Sequence, residues 1–274
     1  MKNIALGQYY PAKSPIHRTD PRIKVILAIL YIVCATFLAK NVVSFALLLL
    51  SSLFMIAAAR IPFKTVLRGI VPVLFVMAFA AVFQVFGRSG DMLLLEWKFI
   101  HIYAEGIYAA VFMIIRIFAL IVGTSIFLTY TTTPIELTDA IEDLLSPLKK
   151  IKVPVHDFAM MMTLALRFIP TLVEETDKIM TAQKARGADF SSGSLVQRAK
   201  ALIPVLIPLV VSAIRHAVEL AVAMECRCYH GDGKRTRMTV RRIRFSDIVM
   251  LVIMAAFGAA MVYFNIAGIG YTMN

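Results

Sequence analysis

The chain has 274 residues, of which 59% are hydrophobic and only 17% are charged, and its mean hydropathy is +0.78. These values exclude an ordinary soluble domain and indicate a polytopic membrane protein. The net charge of +12 is typical of basic cytoplasmic loops beside anionic lipid rather than of nucleic-acid binding. The three cysteines do not make a disulfide framework.

Five segments are apolar over about 20 residues, the length that a helix needs to cross a bilayer. They cover residues 23–39, 42–59, 70–86, 107–130 and 248–270. The loop at 87–106 carries Trp97, Tyr103 and mixed charges, and we expect it to lie at a membrane interface. We therefore predict an all-α, polytopic integral membrane protein with about five transmembrane helices.

The distribution of Lys and Arg predicts the orientation, because these residues concentrate in cytoplasmic loops. Residues 1–24 hold five, 60–68 hold three and 134–247 hold seventeen, whereas 87–106 holds two against three acidic residues. We expect the first three of these segments in the cytoplasm and the C-terminus outside. The predicted domains are an N-terminal membrane domain at 1–133, a cytoplasmic domain at 134–247 and a last transmembrane helix at 248–274.

Two further apolar runs, 158–173 and 201–214, lie inside the cytoplasmic segment. If both were spans, residues 174–200 with their five Lys and Arg would lie outside, against the pattern of the rest of the chain. Both runs are also short. We interpret them as parts of long helices at the cytoplasmic face, and two additional spans are the alternative. In all, the segment predicts three long helices: one from Pro134, one from about Asp157 to Arg186 and one from about Leu195 to Arg227.

The second and third of these helices end in similar sequences, AQKARGADF (182–190) and AMECRCYHG (223–231). On one interpretation each arginine only stabilises the helix end, by about 0.3–1 kcal/mol through the helix dipole. On the other, small neighbours admit a partner's backbone while the guanidinium pairs with a carboxylate. Two such ends favour the second interpretation and imply two similar receptor sites. The residues concerned are Ala185, Arg186, Gly187, Cys226, Arg227 and Cys228.

Five motifs carry a resemblance that runs nearly end to end. They are GQYYPAKSPIHRTDPRIK (7–24), TTTPIELTDAIEDLLSPLK (131–149), LRFIPTLVEE (166–175), AQKARG (182–187) and AMECRCY (223–229). With this span pattern, the chain resembles the transmembrane T component of energy-coupling factor (ECF) transporters, the EcfT/CbiQ family. The resemblance implies a non-catalytic scaffold, without cofactor or metal, that joins two ATP-binding-cassette ATPases to a substrate-binding S component for vitamin or micronutrient uptake.

The resemblance also assigns roles to the two helix ends, which would dock into grooves on the two ATPases. The second end departs from the family's Ala-Arg-Gly, since cysteine stands on both sides of Arg227. That departure puts in doubt whether this site is as tight as the first and whether it is redox-inert. A methionine-rich surface would contact the S component, the alternative being ordinary lipid or core contact. Its members are Met160, Met161, Met162 and Met180.

Two other functions are kept as alternatives: a dedicated cobalt or nickel transport subunit, and a membrane enzyme that uses Arg, Glu and Asp of 166–189 on a lipid. No P-loop motif is present, so the chain is not expected to bind ATP in that way.

For several single residues the sequence allows two interpretations. Cys226, Cys228 and His230 suit a helix end better than a metal site, and His17 suits an interfacial hydrogen bond better than catalysis. Arg116 either contacts protein within the membrane or snorkels to its surface. Glu174, Glu175 and Asp177 are expected to solvate their helix.

Overall fold

The computed structural model describes residues 9–12, 14–87, 93–97, 100–190, 194–229 and 243–267. The chain forms two compact units, one made of Leu6–Ala140 with Arg241–Asn274 and the other of Met1–Ala5 with Ile141–Val240. Several residues that entered the predictions lie outside the described residues. They are Lys2, Lys13, Arg88, Lys98, His230 and the C-terminal tetrapeptide 271–274.

The first unit is built from helices with one short hairpin. The helices are α1 (Pro15–Arg18), α2 (Pro21–Val33), α3 (Val42–Ala59), α4 (Phe63–Gly87), α5 (Ala104–Thr124) and α9 (Phe245–Ile266). Wide π-helical turns at Cys34–Leu38 and Ser125–Tyr130 extend α2 and α5. Strands β1 (Leu93–Trp97) and β2 (Ile100–Tyr103) pair antiparallel, in a segment where only a loop was expected.

The second unit is a helical hairpin. Helix α6 (Pro134–Leu144) leads from the first unit into it, and a 3₁₀ turn at Ser146–Ile151 precedes α7 (Val155–Ala185) and α8 (Leu195–Cys226). These are the three helices predicted for this segment, and α8 begins with a capping box in which Ser194 and Gln197 satisfy each other's backbone amides. The all-α polytopic class is confirmed, with the β1–β2 hairpin as a local exception.

By length and apolarity, six helices of the described residues could cross a membrane. Five of them correspond to the five predicted spans, although α4 begins at Phe63 rather than near residue 70. The sixth is Val196–Cys226 in α8. The prediction that the run 201–214 stays at the membrane face is therefore still a prediction, while the run 158–173 in α7 is not among the six.

Tyr10 and residues 14–20 of the N-terminal motif fold together at the start of α2, and we call them the plug. The His17 ring accepts from the Ser14 hydroxyl at 2.7 Å through Nδ1 and donates to the Tyr10 carbonyl at 2.9 Å through Nε2. The Tyr10 amide donates to the Tyr130 carbonyl at the end of α5, at 3.0 Å. The predicted hydrogen-bonding role of His17 is thus confirmed.

Two buried charged residues connect the plug to the rest of the unit. Lys24 is 1% exposed, and its ammonium group donates to the carbonyl of Thr131 at 2.7 Å. Asp247 accepts from the Asp20 amide at 3.2 Å and from the Arg244 amide at 2.8 Å, which joins the start of α9 to the start of α2. The beginning of α2, the end of α5 and the beginning of α9 therefore lie at the same face of the unit.

Arg116 contacts another helix rather than snorkelling. Its guanidinium donates to the carbonyl of Ala39 at 2.6 Å, where the π-helical turn after α2 ends, and lies 5.2 Å from the centre of the Phe45 ring. A carbonyl at a helix end lacks an intrahelical donor, so the half-buried Arg116 supplies one. Of the two interpretations left open by the sequence, contact with protein is confirmed.

Candidate functional site

Helices α7 and α8 pack side by side in opposite directions. Four contacts define their register. As the position along α7 increases from one pair to the next, the position of its partner on or just after α8 decreases. The pairs are Met160 with Tyr229, Phe168 with His216, Glu175 with Ser212 and Gln183 with Pro204. The C-terminal end of each helix consequently lies beside the N-terminal half of the other.

The end of α7 has a left-handed glycine cap. Gly187 adopts φ +87°, and its amide donates to the Lys184 carbonyl at 3.0 Å. The Ala188 amide reaches back to the Gln183 carbonyl, also at 3.0 Å. This pair of bonds is a Schellman motif with Arg186 at the C-cap, and it ends α7.

The end of α8 repeats this geometry with different residues. The Cys228 amide donates to the Glu225 carbonyl at 2.9 Å, and the Tyr229 amide donates to the Met224 carbonyl at 3.0 Å. Arg227 occupies the C-cap, and Cys228 takes the left-handed position with φ +54°. A residue with a Cβ is destabilised by about 1–2 kcal/mol in this conformation. Only the alignment of Cys228 with Gly187 in the sequence signals that the cysteine takes the glycine's place.

The two arginines lie at opposite ends of the hairpin, on its surface. Arg186 and Arg227 are exposed, and neither side chain has a hydrogen bond or ion pair among the described residues. Arg227 lies at about the level of Met160 on α7. About 26 residues of α7 therefore separate the two ends, which corresponds to about 39 Å along the helix axis at 1.5 Å per residue. We call Ala185–Gly187 the first tip and Cys226–Cys228 the second tip.

An apolar groove of about 370 Å³ lies between α7 and α8. Of the four methionines assigned to a partner surface, Met161 lines this groove, while the Met160 sulfur accepts from the Tyr229 hydroxyl at 2.8 Å. Met162 and Met180 do not line it. The lining side chains are Met161, Leu164, Phe168, Leu172, Ala213, His216, Ala217, Leu220, Ala221 and Met224.

A polar contact crosses the hairpin beside this groove. The Ser212 hydroxyl donates to Oε1 of Glu175, and His216 Nε2 lies 3.7 Å from Oε2 of the same carboxylate. We call Glu175, Ser212 and His216 the clasp. Glu174 is exposed, as expected of a solvating residue, whereas Glu175 faces α8. The sequence does not reveal this contact, because Glu175 lies 37 or more residues from the two members on α8.

The chemistry of the hairpin suits contact with other proteins. Two exposed cationic tips flank an apolar groove, and in the part of the chain that the structure describes no group of three His, Cys, Asp or Glu residues could hold a metal ion. The fold is that of a polytopic membrane protein, and the chain carries a helical hairpin with an exposed arginine at each end. The chain matches the family model described as CbiQ, cobalt transport protein, over residues 12–239. It belongs to this family, as the resemblance of its motifs predicted.

Curated relatives are similar over nearly the whole chain, and three of them share the name energy-coupling factor transporter transmembrane protein EcfT. The relative from Ruminiclostridium cellulolyticum is 51% identical over 252 residues, which cover 92% of each chain. The Clostridium kluyveri relative is 47% identical over 91% of this chain and 92% of its own. The Bacillus subtilis relative is 44% identical over 93% of this chain and 97% of its own.

Proposed function

We propose that the chain is the transmembrane scaffold subunit of an ECF-type importer and that it couples two ATPase subunits to a substrate-binding S component. The names of the curated relatives support the transporter and its transmembrane component. The observation that carries the ATPase-docking role is the repetition of one helix-end geometry, with an exposed arginine at the C-cap of both α7 and α8. Two equivalent tips fit two equivalent receptors.

Each tip combines the features that a docking contact requires. A guanidinium can pair with a carboxylate through two parallel hydrogen bonds, and the small residues beside it let a receptor backbone approach. The Schellman bonds fix the direction in which the chain leaves the helix. ATP-driven closure of the two ATPases would then move the tips, and the hairpin would transmit that movement as one element. In this role the chain catalyses no reaction itself.

The apolar groove is the proposed contact for the S component. Its lining combines flexible methionines, Met161 and Met224, with leucines and small alanines. Methionine adapts to irregular partners, so this surface suits a scaffold that serves interchangeable subunits. Met160, Met162 and Met180 remain part of the proposed surface, although the groove itself does not include them.

We place the hairpin on the cytoplasmic side of the cell membrane, with the N-terminus on the same side. The basic content of 134–247 supports this placement. A second argument comes from the first unit, in which the end of α5 and the start of α9 lie at one face. The segment between them therefore crosses the bilayer an even number of times. If α8 crossed, a second crossing would be needed, and no other described helix of this segment has the required length and apolarity.

Of the two transport alternatives, the shared vitamin or micronutrient module is favoured over a dedicated cobalt or nickel subunit. The family description mentions cobalt, but the three relatives carry the EcfT name. The substrate itself would be chosen by the S component rather than by this chain.

Charge reversal at the tips tests the proposal. The detergent-solubilised chain is co-purified with its two ATPases as wild type, Arg186→Glu, Arg227→Glu and the double variant. Each reversal places a carboxylate against the acidic group expected on the receptor, so each single variant should capture less ATPase and the double variant none. Truncating one partner of a buried charge pair at an interface typically costs about 2–5 kcal/mol, about 30-fold or more in affinity.

Arg215→Glu is the matched control, because Arg215 is also exposed on this hairpin but lies in the middle of α8, away from both tips. It should leave capture unchanged. Normal ATPase capture by the double variant would contradict the docking role and leave the arginines as helix caps only.

A further inference from the structure

The α7–α8 hairpin is held together by little apolar burial. In the described part of α8, Val205 is the only buried side chain, and many large apolar residues of that helix are exposed. An open groove further separates the two helices over part of their length. Apolar contacts are non-directional, so such a small area leaves the axial register of the two helices weakly specified.

The clasp supplies directional contact across this interface. The Glu175 carboxylate is 26% exposed, and it receives the Ser212 hydroxyl while His216 lies at ion-pair distance. The His216 ring also stacks on Phe168 of α7, with 6.4 Å between ring centres. Partly buried polar contacts of this kind are best attested as devices that fix the register of packed helices.

A second polar contact lies nearer the first tip. The amide of Gln183 donates to the Pro204 carbonyl at 3.3 Å. That carbonyl has lost its usual helical donor, because the residue four positions later is Pro208, which has no amide hydrogen. This contact is exposed, unlike the clasp, and it agrees with the same register.

The clasp lies between the two tips. Glu175 precedes Arg186 by 11 residues and Ser212 precedes Arg227 by 15, which correspond to about 17 Å and 23 Å of helix. Any slip of the helices at the clasp would change the separation of the tips by the same amount. Receptor sites on two ATPases have a fixed spacing in each nucleotide state, so the tip separation decides whether both can be occupied.

We propose that Glu175 is a positioning residue: its contact with Ser212 and His216 fixes the register of α7 on α8 and thereby the separation of the two arginine tips. The inference rests on the proposed docking function. It assigns to Glu175, the second glutamate of the LRFIPTLVEE motif, a mechanical role between the helices. This role replaces the solvating role expected from the sequence.

The test measures the distance between spin labels on the two helices in the complex with both ATPases. Labels are attached at Thr181→Cys and Val222→Cys, both exposed and about one turn before each tip. The background carries Cys226→Ala and Cys228→Gly, while the buried Cys34 is left in place. From the register, the labels lie about 24 Å apart along the hairpin axis.

The wild-type clasp should give one narrow distance population in the nucleotide-free complex and another after ATP binding. Glu175→Gln, which still accepts from Ser212, should retain both. Glu175→Leu should lose the single population and give a broad distribution, and Glu174→Leu, the exposed neighbour, is the matched control and should behave as wild type. A narrow distribution for Glu175→Leu would overturn the inference.

A swap makes the test independent of any damage that leucine causes to the fold. Glu175→Ser combined with Ser212→Glu places the same hydroxyl and carboxylate on exchanged helices and should restore the narrow distribution, whereas Ser212→Ala alone should broaden it. A broad distribution for the swap, or a narrow one for Ser212→Ala, would overturn the inference. ATPase capture is recorded in parallel: if tip reversals abolish capture but the clasp variants leave the distances narrow, the clasp proposal fails and the docking function stands.

Discussion

Cys228 carries backbone strain that its counterpart Gly187 avoids. Both hold the left-handed position of a Schellman motif, but only the cysteine has a Cβ. Cys228→Gly should therefore stabilise the last turn of α8 by about 1 kcal/mol, and Gly187→Ala should destabilise the last turn of α7 by a similar amount. Hydrogen exchange of the capping amides, at residues 228–229 and 187–188, measures each effect. Unchanged exchange in Gly187→Ala would show that this end is not held by its cap.

The stability of the N-terminal plug should depend on His17. Burial is the main cause that lowers the pKa of His17 below 6.5, and the nearby Lys24 charge lowers it further, although the Tyr10 and Tyr130 carbonyls act in the opposite direction. The folded state therefore binds its proton less readily than the unfolded state. The contribution of His17 is complete above about pH 6.5 and is lost as pH falls through the folded-state pKa.

His17→Gln tests this dependence, because glutamine can accept from Ser14 and donate to Tyr10 without titrating. The thermal midpoint of the wild type in detergent should fall more between about pH 7.5 and about pH 5 than that of the variant. Equal slopes for the two proteins would assign the pH dependence to other groups.

At the scale of elements, the packing of α5 on α2 depends on Gly123. A methyl group there would overlap the ring of Tyr31, which also stacks on Phe257 of α9 with 6.3 Å between ring centres. Overpacking of this kind costs about 1–3 kcal/mol, so Gly123→Ala should lower the thermal midpoint. Gly258→Ala is the control, since its methyl would approach only the Cys34 sulfur, at 3.3 Å. A larger loss for the control would contradict this view of the α2–α5 contact.

Helix ends could be predicted from the sequence where a local signal exists. Gly187 and the small residues around Arg227 mark the ends of α7 and α8 to within a residue or two.

The start of α4 could not be predicted in this way, because the charges of Lys64 and Arg68 indicate a loop. Their long apolar stems can nevertheless lie along a membrane helix while their charges reach the interface. The β1–β2 hairpin has no alternating pattern in LLLEW and depends on pairing with IHIY.

The location of the candidate site could be predicted, but its internal contacts could not. The two tips are visible as a repeated motif, whereas the clasp joins positions that only the antiparallel register brings together. Nor could composition separate α8 from the spans, since its run 201–214 is as apolar as theirs, with Arg198 and Lys200 before that run and Arg215 and Glu219 after it.

At the scale of the whole molecule, the side of the membrane on which residues 174–200 lie can be measured directly. A single cysteine at Ala188→Cys, in a chain without Cys226 and Cys228, should react with a membrane-impermeant maleimide in inverted vesicles and not in intact cells. Ala104→Cys, in the loop predicted outside, should show the opposite pattern. Labelling of position 188 from outside would make α7 and α8 two further spans and refute the five-span topology.

The antiparallel hairpin with tips at both ends has a consequence for how this scaffold can change in evolution or engineering. In the proposed docking, helix length beyond the clasp is a molecular ruler, so an inserted residue in either arm would advance its arginine by about 1.5 Å and rotate it by about 100°. Point substitutions on the exposed faces do not change the distance from the clasp to either arginine. Insertions and deletions within 175–186 or 212–227 would change it at once, and an ATPase pair with a different groove spacing would require arms of a different length.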